Sequence, residues 1–199
     1  MNHEILVIGG GVNGLSTAIS LLEEGYEVTL YSSEFSPNTT SDIAAALWYP
    51  FLSSPVKKTK VWGKKTYDIL KFLSKDVSTG INMTQTFEYF RVPQKDPMWK
   101  DTVDDFERLT EDLPDEYVEC FSFMTQVIEM PIYLTWLMER FKILGGRLER
   151  QVVTSFSKLS DDFSVIINCT GLDSKELCND SELYPVRGQI IRIKPLINK

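Results

Sequence analysis

The sequence predicts an α/β fold in which a buried parallel sheet is joined to a second, antiparallel layer. Three observations support this. The first thirty residues read as strand, glycine turn, helix and strand, which is a βαβ unit. A continuous apolar run near residue 165 is typical of a strand buried on both faces of a parallel sheet. Residues 84–130 contain alternating segments typical of half-buried strands.

The βαβ unit is visible residue by residue. Residues 4–8 are almost continuously apolar and predict the first strand, which Gly9-Gly10-Gly11 ends. From Val12 to Glu24 the apolar and small residues recur at helical spacing, and Gly25 stands at the C′ position that glycine favours. Residues 27–31 predict the second strand.

The next segment is polar and then helical. We predict a loop over residues 36–41, with Ser41 and Asp42 capping a helix over residues 43–48. A longer amphipathic helix is predicted from Lys60 to Ser74. Its inward residues would be Trp62, Tyr67, Ile69, Leu70 and Leu73. Seven lysines between residues 57 and 75 suggest either an anion site or a solvated helix face, and we favour the solvated face.

The remaining elements are predicted from the pattern of apolar residues and from the positions of proline and glycine. Residues 86–92 and 117–123 predict half-buried strands, and the acidic stretch 101–119 predicts loop and short helix. Pro131 opens a helix over 132–144 that Gly145-Gly146 closes. Further strands are predicted over the ranges 147–153, 165–169 and 187–193.

Composition excludes several classes of protein. The chain has 199 residues and a formal net charge of −7, which argues against a general nucleic-acid binder and a polybasic membrane anchor. It has no apolar run of ~18 residues and no signal peptide pattern. Three cysteines without a CxxC pair indicate reduced thiols in the cytoplasm, and the single His3 excludes a multi-histidine metal site, so we expect no metal.

One motif carries specific chemistry. Gly9-x-Gly11-x-x-Gly14 lies between a strand and a helix, as in a dinucleotide-binding fingerprint. The first glycine makes the tight turn, the second lets the backbone approach a pyrophosphate, and the third lets the helix pack closely on the strand. The helix N-terminus then directs its N–H groups at the phosphates. The alternative is a glycine turn that serves packing alone.

The fingerprint expects an acidic residue about 20 positions further on, as a partner of the adenosine ribose. Glu34 lies near that position, but the end of the second strand holds Ser32 and Ser33. Either Glu34 reaches back to the ribose or the Ser33 hydroxyl makes a weaker contact. The alternative reading of Glu34 is a surface glutamate.

Two features favour a flavin over a nicotinamide dinucleotide. The strand near residue 165 ends in Thr170-Gly171, which resembles the second cofactor-approach motif of FAD-binding folds. The hydroxyl cluster Thr39-Thr40-Ser41 follows the second strand, where it could contact pyrophosphate or ribityl oxygens. The same cluster could also be a simple helix cap, and both roles are compatible.

Five segments in order along the chain carry a family resemblance: residues 7–18, 35–50, 99–103, 167–171 and 187–190. Through these segments the sequence resembles the D-amino acid oxidase family of flavoenzymes. The resemblance implies an α/β protein in which a Rossmann-like FAD-binding domain is combined with a partial α+β antiparallel-sheet substrate domain. It implies non-covalent FAD and oxidation of a D-amino acid by oxygen to an imino acid and hydrogen peroxide.

The resemblance also implies domain limits. Residues 1–80 would form the FAD-binding βαβ region and 81–130 part of the substrate domain. Residues 131–182 would return to the FAD-binding domain, and 183–199 would start a further substrate-domain strand.

Site residues carry over from the matching positions. The FAD contacts implied by the resemblance and the fingerprint are Gly9, Gly10, Gly11, Val12, Asn13, Gly14, Ser33, Glu34, Thr39, Thr40, Ser41, Ala45, Ala46, Leu47, Val153, Thr170 and Gly171. Within this set, Ala45, Ala46 and Leu47 would lie by the isoalloxazine, and Val153 would meet the adenine through its backbone. Tyr49 would edge the substrate pocket.

The resemblance further implies that the chain is the N-terminal part of a family member. The family's substrate-binding arginine comes from the later part of the chain, and Arg91, Arg187 and Arg192 do not match it. We therefore assign no catalytic residue and expect little activity from these residues alone. Open alternatives are the FAD-binding half of a split protein, a glycine or D-aspartate oxidase, and an NAD-dependent dehydrogenase. The expected partners are an amino acid, oxygen and either a C-terminal half or a second copy, with no nucleic acid and no membrane.

Overall fold

The computed structural model describes residues 4–51, 53–186 and 188–191. Its contacts divide the chain into two compact units. Of the described residues, those up to 45 and those from 134 onward form the parallel unit, and residues 46–133 form the antiparallel unit. Residues 46–80 thus group with the antiparallel sheet, whereas the family resemblance implied that they belong with the βαβ region.

Eight strands and four α-helices are formed within the described ranges. The strands are β1 (Ile5–Ile8), β2 (Val28–Ser32), β3 (Ala46–Leu47), β4 (Ile81–Phe90), β5 (Asp104–Leu109), β6 (Glu119–Ile128), β7 (Arg147–Arg150) and β8 (Val165–Asn168). The helices are α1 (Val12–Glu23), α2 (Val56–Leu73), α3 (Met130–Ile143) and α4 (Ser174–Leu177). Short 3₁₀ helices occur at Thr40–Ile43, Val77–Thr79 and Gly171–Asp173.

The parallel unit is built on a four-stranded sheet in the order β7-β2-β1-β8. All three neighbouring pairs are parallel, and Ile5 is in register with both Val28 and Val165. The central strand β1 is buried along its whole length, as its apolar sequence predicts. β8 has one neighbour among the described strands and is only half-buried, so the prediction of a fully buried strand there was wrong.

Helix α1 connects β1 to β2 and covers one face of the sheet. It buries Leu15 and Ala18, which lie three positions apart on one helical face. Gly25 adopts φ +88° just beyond the helix, where its N–H donates to the Leu22 carbonyl and the Tyr26 N–H donates to the Leu21 carbonyl. These two bonds form a Schellman motif, so the predicted glycine stop is confirmed.

The antiparallel unit is centred on β6. β4 pairs with β6 along its full length, from Ile81 opposite Ile128 to Phe90 opposite Glu119. β3 and β5 pair with opposite ends of β6. The Tyr67 side chain of α2 is fully buried here, and its hydroxyl donates to the Met124 carbonyl and accepts from the Asp104 N–H, each at 3.1 Å.

Three predicted elements differ from the structure. The predicted helix over 43–48 is absent, because the 3₁₀ helix ends at Ile43 and residues 46–47 pair with β6 instead. The acidic stretch predicted as loop and short helix contains strand β5. Helix α2 buries Tyr67 and Leu70, but Trp62 and Ile69, predicted to face inward, are exposed.

The last predicted strand, over 187–193, lies partly outside the described residues. Arg187, Arg192 and residue 193 are among those not described, and residues 188–191 form no strand. Across the described ranges, no helix is both long enough and apolar enough to cross a membrane.

Candidate functional site

The turn after β1 is so tightly packed that glycine is required at two positions. Gly9 has φ +120°, and a Cβ on it would lie 2.3 Å from the Cys169 carbonyl oxygen. A Cβ on Gly14 would lie 1.8 Å from the carbonyl oxygen of Gly9. Both contacts are with backbone atoms, which cannot move aside as a flexible side chain can. The start of α1 is therefore held directly against the end of β1 and the segment after β8.

The start of α1 faces a hydroxyl from a distant loop. The N-cap residue, Gly11, has no side chain to cap the helix, and the first turn contains no acidic residue. The Val12 N–H instead donates to Ser41 Oγ at 3.1 Å. A Cβ on Gly11 would lie 2.9 Å from the same oxygen. The N-terminal end of the helix dipole is thus open to an anion and bordered by a hydroxyl.

A buried carboxylate holds the loop that carries Ser41. Asp42 Oδ2 accepts the Thr39 N–H at 2.8 Å and the Thr39 hydroxyl at 2.6 Å, and Oδ1 accepts the Ser36 hydroxyl. Burial by itself raises the pKa of Asp42, but these hydrogen bonds outweigh it and hold the pKa below its usual value. Asp42 is therefore ionised at neutral pH. The sequence suggested it only as the cap of a following helix, whereas it binds back to Thr39.

The hydroxyl cluster is divided in its roles. The Thr39 hydroxyl is committed to Asp42, and the Ser41 hydroxyl lies at the start of α1. Thr40 is exposed. The cluster thus leaves Thr40 and Ser41 as the hydroxyls open to a ligand beside the glycine turn.

The end of β2 is tied to the glycine turn by a residue that the sequence analysis did not select. Ser32 is buried, and its Oγ accepts the Gly10 N–H at 2.8 Å and donates to the Glu34 carbonyl at 2.6 Å. The sequence signal that could have identified Ser32 is a small hydroxyl residue at the end of the second predicted strand. Ser33 is exposed, and Glu34 Oε2 pairs with Arg150 Nη1 at 3.1 Å.

The segment after β8 is organised by Asn168. Its Oδ1 accepts the Thr170 N–H at 3.1 Å and the Thr170 hydroxyl at 2.8 Å. The Cys169 N–H donates to the Ile8 carbonyl at 2.8 Å, which extends the pairing with β1 to the glycine turn. Burial raises the pKa of the Cys169 thiol, so it is a poor nucleophile. Gly171 is exposed with φ +60° and begins a 3₁₀ helix.

Most of the predicted FAD-contact residues lie in the parallel unit. Val153 follows the end of β7, and its side chain packs on the cluster formed by Leu6, Ile8 and Leu159. The glycine turn, residues 33–34, residues 39–41, Val153 and residues 170–171 therefore all follow the carboxyl ends of parallel strands or border the turn. Ligands of open α/β sheets bind at this edge.

Other predicted site residues belong to the antiparallel unit. Ala46 and Leu47 form β3, opposite Ile128 and Val127. The Tyr49 hydroxyl donates to the Glu88 carboxylate, with distances of 2.8 and 2.9 Å to its two oxygens. Burial raises the pKa of Tyr49, and the Glu88 carboxylate raises it further, so the phenol is neutral at physiological pH. Ala45 is exposed at the end of the first stretch of the parallel unit.

These features define a class of protein. A parallel sheet, a glycine turn after its central strand, an open helix N-terminus and polar segments at the carboxyl edge are those of a dinucleotide-binding α/β protein. Comparison with known sequences identifies the family. A family described as "FAD dependent oxidoreductase" matches residues 4–199, and the chain belongs to it.

Curated relatives agree with this assignment. A D-amino-acid oxidase of Dictyostelium discoideum is 40% identical over 196 residues, covering 96% of this chain and 57% of its own length. A D-amino-acid oxidase of Rubrobacter xylanophilus is 36% identical, and the match covers 94% of this chain and 58% of that protein. A human D-aspartate oxidase is 34% identical, and the match covers 96% of this chain and 59% of that protein. The chain thus spans less than two thirds of the length of these relatives.

Solved structures share the fold. An L-amino acid deaminase from Proteus myxofaciens has a TM-score of 0.70 at 13% identity, covering 92% of this chain and 48% of its own. An L-proline dehydrogenase from P. horikoshii has a TM-score of 0.69 at 17% identity, and the match covers 92% of this chain and 57% of that protein. The predicted fold class, with a parallel sheet and a separate antiparallel sheet, is confirmed.

We expect Gly14→Ala to destabilise the fold by about 1–3 kcal/mol, because the new methyl group collides with the Gly9 carbonyl. Gly63→Ala is the matched control. Its Cβ would lie no closer than 3.5 Å to another atom inside helix α2, so it should stabilise by about 0.5–1 kcal/mol. Urea unfolding of both variants checks this, and a stability loss of equal size in both would contradict the packing argument.

Proposed function

We propose that this protein binds FAD through its parallel unit and oxidises a D-amino acid, passing the electrons to oxygen. The products are an imino acid and hydrogen peroxide. The observation that carries the proposal is the glycine turn with Ser41 at the start of α1, in a chain of the FAD dependent oxidoreductase family. The proposed activity is that of the whole protein, because the chain spans only part of its relatives' length.

The residues present fit the pyrophosphate of FAD. The anion would lie against the backbone from Gly9 to Gly14, where a Cβ on Gly11 would narrow the space beside Ser41. The open helix start supplies N–H donors and a positive dipole end, and no carboxylate of the first turn repels the phosphates. We assign Gly10, Gly11, Val12, Asn13 and the hydroxyls of Thr40 and Ser41 to this contact, with Thr39 holding the loop through its bond to Asp42.

The adenosine end would lie beyond β2 and β7. We assign the ribose contact to Ser33 and Glu34. Arg150 pairs with the Glu34 carboxylate and orients it. An exposed ion pair of this kind contributes little to stability, so exchanging it for contacts with ribose hydroxyls would cost little. Val153, Thr170 and Gly171 would border the adenine and its ribose. The Asn168 bonds hold Thr170 rigid for this purpose.

We assign Ala45, Ala46 and Leu47 to the isoalloxazine and Tyr49 to the edge of the substrate pocket. Bound flavin supplies a hydride acceptor and, through its reoxidation, reduces oxygen. The chain's own residues would hold the cofactor. The Tyr49 phenol stays neutral because burial raises its pKa and the bond to Glu88 raises it further. No residue of this chain is assigned as catalytic, because Arg91, Arg187 and Arg192 do not match the family's carboxylate-binding position.

A D-aspartate oxidase activity is the second candidate, supported by the 34% identity with the human D-aspartate oxidase. We also propose a cytoplasmic location, in keeping with three free cysteines. Either a C-terminal part or a second copy of the chain would complete the enzyme.

Ser41→Ala should weaken FAD binding about tenfold, because one hydroxyl contact with the pyrophosphate is lost. Ser20→Ala is the control, since its hydroxyl bonds only within α1, to the Ser16 carbonyl. Titration of flavin fluorescence gives both dissociation constants, and riboflavin, which lacks the pyrophosphate, should bind both variants alike. Equal FAD affinity in the two variants would contradict the site.

With FAD present, the whole protein should release hydrogen peroxide from D-amino acids and not from their L enantiomers. A peroxidase-coupled assay of D-alanine, D-aspartate and both L enantiomers measures this. Much faster turnover of D-aspartate would favour the second candidate. Turnover of the L enantiomers, or reduction of NAD⁺ in place of flavin, would contradict the proposal.

A further inference from the structure

Helix α2 exposes a continuous apolar stripe on the face opposite its buried residues. Val61 and Phe72 are each 68% exposed, Trp62 is 59% exposed and Ile69 is 48% exposed. At 100° per residue these four side chains fall within one third of the helix circumference, opposite Tyr67 and Leu70. We call these four residues, with Lys58 and Lys65 between them, the outer stripe of α2.

The same helix is strongly basic although the chain is acidic. It carries six lysines and a single aspartate, Asp68, within a protein of net charge −7. Lys64 is paired with Asp68 and Lys71 with Asp104. The Lys58 ammonium nitrogen lies 5.9 Å from the centroid of the exposed Trp62 ring, in cation–π range. Positive charge is thus concentrated around the exposed apolar residues.

The charge pattern selects among possible occupants of this stripe. A symmetric contact between two copies would bring Lys58 and Lys65 of one helix against those of the other. Lysine is also depleted at the cores of protein interfaces. An anionic lipid surface accepts both features, since apolar side chains enter the headgroup boundary and lysines contact the lipid charges. Tryptophan is enriched at that boundary.

We propose that the outer stripe of α2 docks the protein on an anionic lipid bilayer, with the helix lying along the surface. Val61, Trp62, Ile69 and Phe72 insert at the headgroup level, and the lysines bind anionic headgroups. The whole-chain charge argued against a membrane partner, but the field at a surface falls off within about 10 Å, so the local charge of α2 decides the contact.

Vesicle flotation of the 199-residue chain tests the proposal. The chain should float with vesicles of equal parts phosphatidylcholine and phosphatidylserine and not with phosphatidylcholine alone. Binding should weaken as salt is raised, because the headgroup contacts are electrostatic. Absence of flotation with the anionic vesicles at low salt would overturn the proposal, as would equal binding to both vesicle types.

Variants assign the contact to the stripe. Lys58→Gln with Lys65→Gln should lower the partition coefficient about fivefold for each lysine removed. Ile69→Ser with Phe72→Ser should also lower it. The matched control is Lys142→Gln with Ile143→Ser, an exposed lysine and an exposed apolar residue at the end of α3, which should bind as the parent does. Equal losses in the control and the stripe variants would overturn the assignment.

Tryptophan quenching by brominated lipids gives a second, spectroscopic readout of the same contact. Of the four tryptophans, Trp48 and Trp99 are buried and Trp136 is half-buried, whereas Trp62 is 59% exposed, so most of the quenching should be lost in Trp62→Phe. Unchanged quenching in Trp62→Phe would overturn the proposed orientation. Binding to polyglutamate without binding to vesicles would replace the lipid by an acidic polypeptide and also overturn it.

Discussion

The packing of the glycine turn against its two neighbouring segments is the contact on which the candidate cofactor site depends. Neither Gly9 nor Gly14 has room for a side chain. A Cβ on Gly9 would overlap the backbone of Cys169, and a Cβ on Gly14 would overlap the backbone of Gly9. This close backbone packing holds the start of α1 at the end of the central strand. The helix N–H groups and the segment after β8 then border the same edge of the sheet, which is where a dinucleotide can bind.

Buried polar groups hold the loops around this turn. Asp42 remains ionised because Ser36 and Thr39 donate to it, and it keeps Ser41 at the helix start. Ser32 joins the end of β2 to Gly10 in the same manner. A buried carboxylate or hydroxyl without such partners would be destabilising, so these bonds make the loop positions specific. These loop positions are therefore held by the chain's own groups.

Local patterns predicted the βαβ unit and the helix stops, because glycine geometry and apolar spacing act within a few residues. Tertiary contacts decided the elements that differed. The alanine-rich segment after Ile43 favours a helix, but Asp42 binds back to Thr39 and residues 46–47 pair with β6. Strand β5 has no fully buried residue and four of its six residues are charged, so its sequence lacks the apolar alternation that predicts a strand. Trp62 and Ile69 were predicted inward, yet the buried face of α2 is narrow.

Amide hydrogen exchange with and without FAD tests most directly the claim that the cofactor binds at the glycine turn. The account predicts that FAD slows exchange in residues 9–14 and 39–42, including the Val12 N–H that donates to Ser41. Exchange in the buried core of β6 should stay unchanged. FAD binding without added protection in those two segments would contradict the account.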